Sequence, residues 1–276
     1  MRWGRRLVLA VFLAAGVLPA LSTGVAVASS AAPAAERFAL LIGVDRFEGR
    51  TRPNYGAVTD VGLFRQALVQ SGWRAENIRV LTDSGARAAD IREGLRWLVE
   101  RSTPSSFTVM HYSGHVKQTA AGEFLWPHDN RFIPDTELAS EVRRLRGSSW
   151  VDISGCEAAG FDEGISGPTR LFTASSRSTE KSYELVSEGK SVFTKLLVEQ
   201  GLLGRQGDAN GDGKVSVQEA FRYAAPRAPE ITRSAPNGPQ HPVMTGGDGD
   251  VFLAPPPPPP PPPRRCGINL LGLCLF

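Results

Sequence analysis

Residues 149–156, SWVDISGC, form a short apolar run that ends in Gly155 and Cys156. A continuous apolar run of this length, closed by small residues, predicts a buried β-strand rather than an amphipathic helix. Four other runs have the same character: RFALLIGV (37–44), NIRVLTD (77–83), SFTVMHYSG (106–114) and RLFTASS (170–176). Strands that are apolar on both faces predict a parallel sheet with helices on both sides.

Helical segments alternate with these strands along the chain. Apolar residues recur at three- and four-residue steps in residues 57–73 and 86–102, and residues 134–147 and 191–204 predict two more helices. This alternation predicts an α/β fold, a three-layer α/β/α sandwich with a mostly parallel sheet. The last predicted strand is VFLA (251–254), so that the domain covers residues 37–254.

The first 28 residues predict a secretory signal peptide. They begin with three arginines, continue as an apolar run from Leu7 to Leu21 and end in Ala26-Val27-Ala28, a small-residue cleavage pattern. The alternative is a transmembrane anchor, which the short run and its interruption at Pro19 disfavour. Cleavage after Ala28 would lower the formal net charge from +3 to zero. The signal peptide predicts a secreted protein whose mature chain has no transmembrane helix. Because no basic block remains after cleavage, we expect no nucleic-acid partner.

The two flanks of the domain are low in complexity. Residues 29–36 are a linker of small residues, and residues 255–276 are a proline-rich tail. Within the tail, Pro255 to Pro263 are a run of nine prolines, which predicts an extended polyproline II rod. The apolar residues after the rod are too few to span a bilayer. The tail is expected to be a poorly ordered terminus or to bind a partner.

The chain has three cysteines, and an exported protein usually meets an oxidising compartment. Cys266 and Cys274 could close a small disulfide loop, which would leave Cys156 unpaired. A free cysteine serves either as a small apolar residue or as a nucleophile. Histidine is the usual activating partner of a nucleophilic thiol.

Two candidate catalytic residues follow neighbouring strands. His115 comes just after the strand at 106–114, and Cys156 ends the strand at 149–156. Ligands of open parallel sheets lie at the carboxyl ends of the strands, so both residues are expected at one edge of the sheet. His111 is predicted to be structural, since it lies within its strand.

A series of motifs between Phe38 and Leu253 resembles the caspase-fold cysteine peptidases, in particular the bacterial metacaspase-like proteins. ALLIGVDRF (39–47) and GAVTDVGLFRQAL (56–68) resemble the first strand and first helix of that family. HYSGH (111–115) resembles its Ser-Gly-His motif, and GCEAAGFD (155–162) resembles its cysteine motif. The family's next strand and its Phe-Thr helix have counterparts here in TASSRSTEKSYE (173–184) and SVFTKLLVEQGL (191–202).

The resemblance implies a cysteine endopeptidase that acts on polypeptides and needs no organic cofactor. His115 would be the general base, and Cys156 would be the nucleophile. The backbone N–H groups of Cys156 and Val116 would hold the oxyanion of the tetrahedral intermediate. The family usually has glycine at position 116, and valine resists unusual backbone angles.

The resemblance also implies an acidic pocket for Arg or Lys at the cleavage position. Asp60 and Ser113 match two of the pocket positions of the family. Ser154 stands where the family usually has Asp, and Asp152, on the same face of the strand, is a substitute candidate. We therefore expect a preference for basic residues that is weaker than in the family, or altered.

Residues 208–219, DANGDGKVSVQE, fit the twelve-residue calcium loop of an EF-hand. Oxygen ligands at alternating positions, a glycine at the sharp turn and a final bidentate glutamate are what a calcium ion requires. The predicted ligands are Asp208, Asn210, Asp212, the carbonyl group of Lys214, and Glu219. The loop predicts Ca²⁺ as a cofactor, in a structural or a regulatory role, and the alternative is a loop that only turns the chain.

Three functions stay open from the sequence. The first is an exported cysteine endopeptidase, and the second is a catalytically weak or inactive caspase-fold scaffold that binds partners. The third is a hydrolase of non-peptide amides, which the same pair of residues would serve. Self-cleavage is a further expectation, with Arg170, Arg177 and Lys181 available in polar loops.

Overall fold

The computed structural model describes residues 36–254 and the backbone of two short paired strands, Gly267–Ile268 and Cys274–Leu275. The predicted signal peptide, most of the linker, the proline run and Cys266 lie outside the described residues, so the predictions made for them stay predictions. The chain divides into two units, Met1–Ala34 and Ala35–Phe276, and every element below belongs to the second. None of the described helices is long and apolar enough to cross a membrane.

The strands and helices follow the predicted alternation. The strands of the domain are β1 (Arg37–Gly43), β2 (Ile78–Thr82), β3 (Phe107–Ser113), β4 (Val116–Thr119), β5 (Gly122–Leu125), β6 (Ile133–Pro134), β7 (Ser148–Ser154), β8 (Arg170–Ala174), β9 (Glu184–Leu185), β10 (Lys190–Ser191) and β11 (Val243–Gly246). The helices are α1 (Ala57–Gln70), α2 (Ala88–Arg101), α3 (Asp135–Arg143), α4 (Val192–Thr194, continued as a π-helix over Lys195–Leu203), α5 (Val217–Ala224) and α6 (Arg227–Ile231).

The central sheet has the strand order β11-β8-β7-β3-β1-β2. Every neighbouring pair is parallel except β11 and β8, which are antiparallel. One face of the sheet packs Leu40, Met110 and Val151 under α2 and α3. The other face packs Leu41 and Trp150 under α1, α4 and α5. The predicted three-layer α/β/α sandwich with a mostly parallel sheet is therefore confirmed.

The prediction of a final strand at residues 251–254 is wrong. The edge strand is β11, and residues 251–254 run without strand structure. Leu253 is buried, and its carbonyl oxygen accepts hydrogen bonds from the Trp73 indole at 2.8 Å and from Arg37 at 2.7 Å. Side-chain donors thus satisfy this carbonyl group, which in a strand would bond to a neighbouring backbone.

The register of the three inner strands aligns their carboxyl ends. Ser113, the last residue of β3, is paired with Gly43 of β1 and with Ser154 of β7. The chain therefore leaves all three strands at the same edge of the sheet. After β3 it enters a separate three-stranded sheet, β4-β5-β6, which begins one residue after His115.

Candidate active site

The two predicted catalytic residues follow strand ends that are in contact. His115 and Cys156 each lie two residues beyond the last paired residues of β3 and β7, Ser113 and Ser154. The contact continues past the strands, because the Gly114 N–H donates to the Ser154 carbonyl oxygen at 3.1 Å. The structure thus brings the histidine and cysteine segments together at the carboxyl edge of the sheet, as the sequence predicts.

Gly155 is required by this close approach. A Cβ atom added at Gly155 would lie 2.8 Å from the Gly114 carbonyl oxygen and 2.9 Å from Cγ2 of Val116. Both distances are shorter than van der Waals contact, and the first involves backbone that cannot turn away. A side chain at this position would therefore push the His115 and Cys156 segments apart.

The His115 ring has a defined tautomer. Its Nε2 atom is 2.8 Å from the Arg52 carbonyl oxygen, and a carbonyl oxygen only accepts, so Nε2 carries the proton and Nδ1 keeps a lone pair. The ring stacks on Phe47 with centroids 5.0 Å apart, and Trp126 covers a second side at 5.7 Å. Burial lowers the pKa of His115 from its ordinary value, and the bond to Arg52 opposes this. The imidazole is therefore neutral at neutral pH, which is the form of a general base.

The Cys156 thiol is partly buried and faces the Ser182 carbonyl oxygen at 4.0 Å. Burial is the main cause that raises the pKa of this thiol above its ordinary value. At neutral pH the sulfur is therefore protonated, and a base has to remove its proton as it attacks. His115, which follows the end of the adjacent strand, is the candidate base.

Buried serines hold the turn before the cysteine. The Gly155 carbonyl oxygen accepts bonds from the hydroxyl groups of Ser175 at 2.9 Å and Ser176 at 3.0 Å. The Gly155 N–H donates to Ser175 Oγ at 3.0 Å, and Ser182 donates to the same oxygen at 2.9 Å. Sequence reasoning missed these serines, since Ser175 and Ser176 reach Gly155 across 20 and 21 residues of chain.

The Val116 N–H, the predicted oxyanion donor, is not used in the β4–β5 ladder. The Trp126 N–H donates to the His115 carbonyl oxygen at 3.2 Å, which makes residues 115 and 126 a hydrogen-bonded pair of the β4–β5 ladder. The next pair, Val116 and Leu125, is then non-hydrogen-bonded, so the Val116 N–H points away from β5. The extended backbone of β4 also suits a β-branched residue, and the predicted conflict with unusual angles does not arise.

Three of the four predicted pocket residues converge beneath the edge of the sheet. Asp60 is fully buried, and its carboxylate accepts the Ser113 hydroxyl at 2.7 Å and the Ser191 N–H at 3.0 Å. The Ser154 hydroxyl donates to Ser191 Oγ at 3.3 Å. Burial is the main cause that raises the pKa of Asp60. Asp60, Ser113 and Ser154 therefore form one polar cluster.

Asp152 does not join this cluster. Its carboxylate bonds to His111 Nδ1 at 2.8 Å and to the Thr173 hydroxyl, and both Asp152 and His111 are fully buried. His111 also stacks on Phe64 with centroids 3.8 Å apart, which agrees with its predicted structural role. Asp152 was predicted as a pocket residue because it shares a strand face with Ser154. In the structure its carboxylate oxygens bond instead to His111 and Thr173 within the sheet.

Glu184 is an acidic group near the pocket that sequence reasoning missed. Its carboxylate accepts the Tyr55 N–H at 3.0 and 3.1 Å. Burial raises its pKa, and the charges of Asp45 and Asp60 add to this effect. No local motif marks Glu184, because the short strand β9 comes near Asp60 only through the folding of the chain.

Side chains of the predicted calcium loop accept hydrogen bonds from backbone N–H groups of the same loop. Asp208 accepts the N–H groups of Gly211 at 2.8 Å and Gly213 at 3.1 Å, and Asn210 accepts that of Asp212 at 2.8 Å. Asn210 also donates to Glu219 at 2.9 Å, which joins the middle of the loop to its end. In the part of the chain that the structure describes, no three His, Cys, Asp or Glu side chains are grouped closely enough to hold a metal ion. The calcium site stays a prediction.

Known structures share the fold. A crystal structure of a protein from Geobacter sulfurreducens superposes with a TM-score of 0.60 and covers 78% of this chain and 95% of that chain. The sequences are 14% identical, so this likeness concerns the fold alone.

Sequence comparison gives a family. The sequence model of the caspase domain, peptidase family C14, matches residues 36–201, more than half of the chain. Metacaspase-1 of Eremothecium gossypii is 33% identical over 90 residues, which are 30% of this chain and 20% of that protein. Metacaspase-1 of Candida albicans is 36% identical over 87 residues, which are 29% of this chain and 19% of that protein. The matched segment therefore spans about a fifth of the length of these curated relatives.

Proposed function

The chain belongs to the caspase-domain family of cysteine peptidases, and we propose that it is an endopeptidase that uses Cys156 and His115 to cleave after basic residues. The observation that carries this proposal is the register of β3 and β7, whose carboxyl ends bring the two segments to one edge. The Nδ1 lone pair of His115 supports it, because a neutral imidazole can accept the thiol proton.

The proposed reaction is an acyl transfer. As His115 Nδ1 takes the thiol proton, the Cys156 sulfur attacks the peptide carbonyl carbon, and the charge that develops on oxygen is held by the N–H groups of Cys156 and Val116. The tetrahedral intermediate collapses to a thioester, and the proton on His115 passes to the departing amine. Water, activated by the same imidazole, then releases the acid and restores the thiol.

The proposed preference for basic residues rests on two carboxyl groups. Asp60 lies in the polar cluster with Ser113 and Ser154, and Glu184 lies close enough for its charge to act on Asp60 and on Cys156. A cationic side chain that enters between them would restore the charged form of both acids, which burial disfavours. Glu184 thus supplies the second acidic group that the serine at position 154 lacks.

The test is a comparison of fluorogenic peptides that differ only at the cleavage position. With the mature protein we expect cleavage after Arg or Lys, and at least a thousandfold loss of kcat/KM in Cys156→Ala and in His115→Ala. His128→Ala is the matched control, because His128 bonds to the Arg46 carbonyl group in a surface loop. A protein that cleaves after Asp better than after Arg, or that keeps its activity without Cys156, would refute the proposal.

The inactive scaffold is the second candidate. The raised pKa of the Cys156 thiol favours it, since a resting thiol reacts more slowly than a thiolate. A thiol-reactive probe separates the candidates. Labelling of Cys156 that is lost in His115→Ala supports the peptidase, whereas an inert Cys156 supports the scaffold. Hydrolysis of non-peptide amides but not of peptides would support the third function.

We also propose that residues 208–219 bind calcium through Asp208, Asn210, Asp212, the Lys214 carbonyl group and Glu219. The oxygen-only set of donors fits a hard cation, and Ser216 caps α5 at the position where an EF-hand begins its second helix. A bound ion would tie the end of α4 to α5.

Export through residues 1–28 and partner binding by the proline-rich tail complete the proposal. Sequencing the amino terminus of protein from the culture medium checks the first of these.

A further inference from the structure

An ion pair lies directly beside Cys156. Glu157 is the next residue in the chain, and its carboxylate accepts a hydrogen bond from the Lys181 ammonium group. The Glu157 side chain is 8% exposed and the Lys181 side chain is 47% exposed. A carboxylate that is this buried needs a counter-charge, and Lys181 provides it.

The backbone fixes Glu157 next to the thiol. Its φ angle is 50°, a left-handed conformation that is unfavourable for residues other than glycine. Its N–H donates to the Glu180 carbonyl oxygen at 2.8 Å, and its carbonyl oxygen accepts the Gly160 N–H at 3.0 Å. The backbone of Glu157 is therefore held beside Cys156, and the net charge near the sulfur depends on whether Lys181 is in place.

We propose that Lys181 is a positioning residue that controls the reactivity of Cys156 by neutralising Glu157. The charged groups that act on the thiol are Glu157, Lys181 and Glu184. His115 follows the end of the neighbouring strand. Glu157 and Glu184 raise the pKa of Cys156, and Lys181 lowers it. Without Lys181, two carboxylates would oppose the thiolate that forms during attack. The inference deepens the proposed function, since the sulfur concerned is the proposed nucleophile.

The test is a charge cycle on the full mature chain. The rate of alkylation of Cys156 by iodoacetamide is measured between pH 6 and 10, and peptide mapping separates this cysteine from Cys266 and Cys274. Lys181→Met should slow alkylation at pH 7 by about fivefold and move the pH profile to higher pH, because an unpaired charge then disfavours the thiolate. Glu157→Gln should do the opposite, by about threefold.

Two further variants show that charge is responsible. The double variant Glu157→Gln/Lys181→Met should return to within about twofold of the wild-type rate, since neither charge remains. Lys181→Arg keeps the positive charge and should behave like the wild type. Equal profiles in all five proteins would overturn the inference. Slowing in both single variants without recovery in the double variant would also overturn it, because the pair would then only hold the turn in place.

Alkylation needs no peptide substrate, so the inference and the proposed function fail separately. If the charge pattern appears but no peptide is cleaved, the peptidase is refuted and the role of Lys181 stands. If peptides are cleaved while the alkylation rates do not respond to these charges, the role of Lys181 is refuted and the peptidase stands.

Discussion

The carboxyl edge of the sheet and the 208–219 loop both carry polar residues, but these residues are held in different ways. At the edge, Asp60 is fully buried and bonds to Ser113 and Ser191, which lie 53 and 131 residues away. In the loop, Asp208 bonds to backbone groups three and five residues away. The edge is therefore held by contacts between distant parts of the chain, whereas the loop is organised mainly by contacts within itself.

The two regions also lie at opposite ends of the strands. A cavity of about 760 Å³ is lined by Arg37, Phe107 and Ser148, at or next to the starts of β1, β3 and β7, and by Gly213 and Lys214 of the loop. The proposed catalytic residues, His115 and Cys156, follow the last residues of β3 and β7. A strand of seven residues is about 20 Å long, so a change in one region should reach the other weakly.

Among changes outside Cys156 and His115 themselves, Gly155→Ala should have the largest effect. The added Cβ would lie 2.8 Å from the Gly114 carbonyl oxygen and push the two catalytic segments apart. We expect kcat/KM to fall about 100-fold or more, and the free energy of unfolding to fall by about 1–3 kcal/mol. Gly62→Ala is the control, because Gly62 is exposed in α1 and an added Cβ would meet nothing within 4 Å. Full activity in Gly155→Ala would contradict the claim that activity requires the close approach of the residue 114–116 and 154–156 segments.

A somewhat smaller effect should follow from Asp60→Asn. The amide keeps an oxygen for Ser113 but removes the charge that a basic substrate would meet. We expect kcat/KM for Arg peptides to fall about 10- to 100-fold, the value of one charged hydrogen bond, and that for peptides with Ala at the cleavage position to change less than threefold. Asp90→Asn, in the first turn of α2, is the control. An equal loss on both peptides would mean that Asp60 serves the fold alone.

Removing calcium should affect stability more than activity. We expect saturating Ca²⁺ to raise the Tm by about 5 °C relative to a chelator, because an ion that binds only the folded state adds about 2–3 kcal/mol. Asp208→Ala should abolish this shift and change kcat/KM by less than about threefold. Asp248→Ala, which alters an acid outside the loop, should keep the shift. A calcium effect that survives in Asp208→Ala would place the ion elsewhere.

The smallest effect concerns the acid side of the pH profile. The base must be neutral, and burial lowers the pKa of His115 below its ordinary value of 6.5, so the neutral form persists to lower pH. The acid limb of kcat/KM should therefore lie below pH 6.5. Phe47→Ala would expose the imidazole and should move the limb upward, towards 6.5. A wild-type limb above 6.5 would contradict the burial argument.

The sequence predicted the parts of this molecule that depend on local pattern. The alternating strands and helices, and the meeting of the His115 and Cys156 segments, follow from apolar runs and from the rule that parallel strands end at one edge. The partners of these residues could not be predicted. The Arg52 carbonyl group is 63 residues from His115, and Ser182 is 26 residues from Cys156. Such contacts depend on how the loops pack, for which no periodicity gives a signal.

The failed expectations have the same cause. Asp152 shares a strand face with Ser154, which predicted a pocket residue, but its partner His111 lies on the adjacent strand. The run at 251–254 is apolar like a strand, yet the side chains of Trp73 and Arg37 satisfy the Leu253 carbonyl group. In both cases a contact from a distant part of the chain decides what the residue does.

The most direct measurement is mass spectrometry of the mature protein after treatment with a peptidyl-arginine chloromethyl ketone. If His115 and Cys156 work together behind an acidic pocket, one adduct forms, it maps to the peptide with Cys156, and it is lost in His115→Ala but not in His128→Ala. An adduct that forms equally well without His115, or that maps to Cys266 or Cys274 instead, would contradict the proposal that the sheet edge at β3 and β7 is a catalytic site.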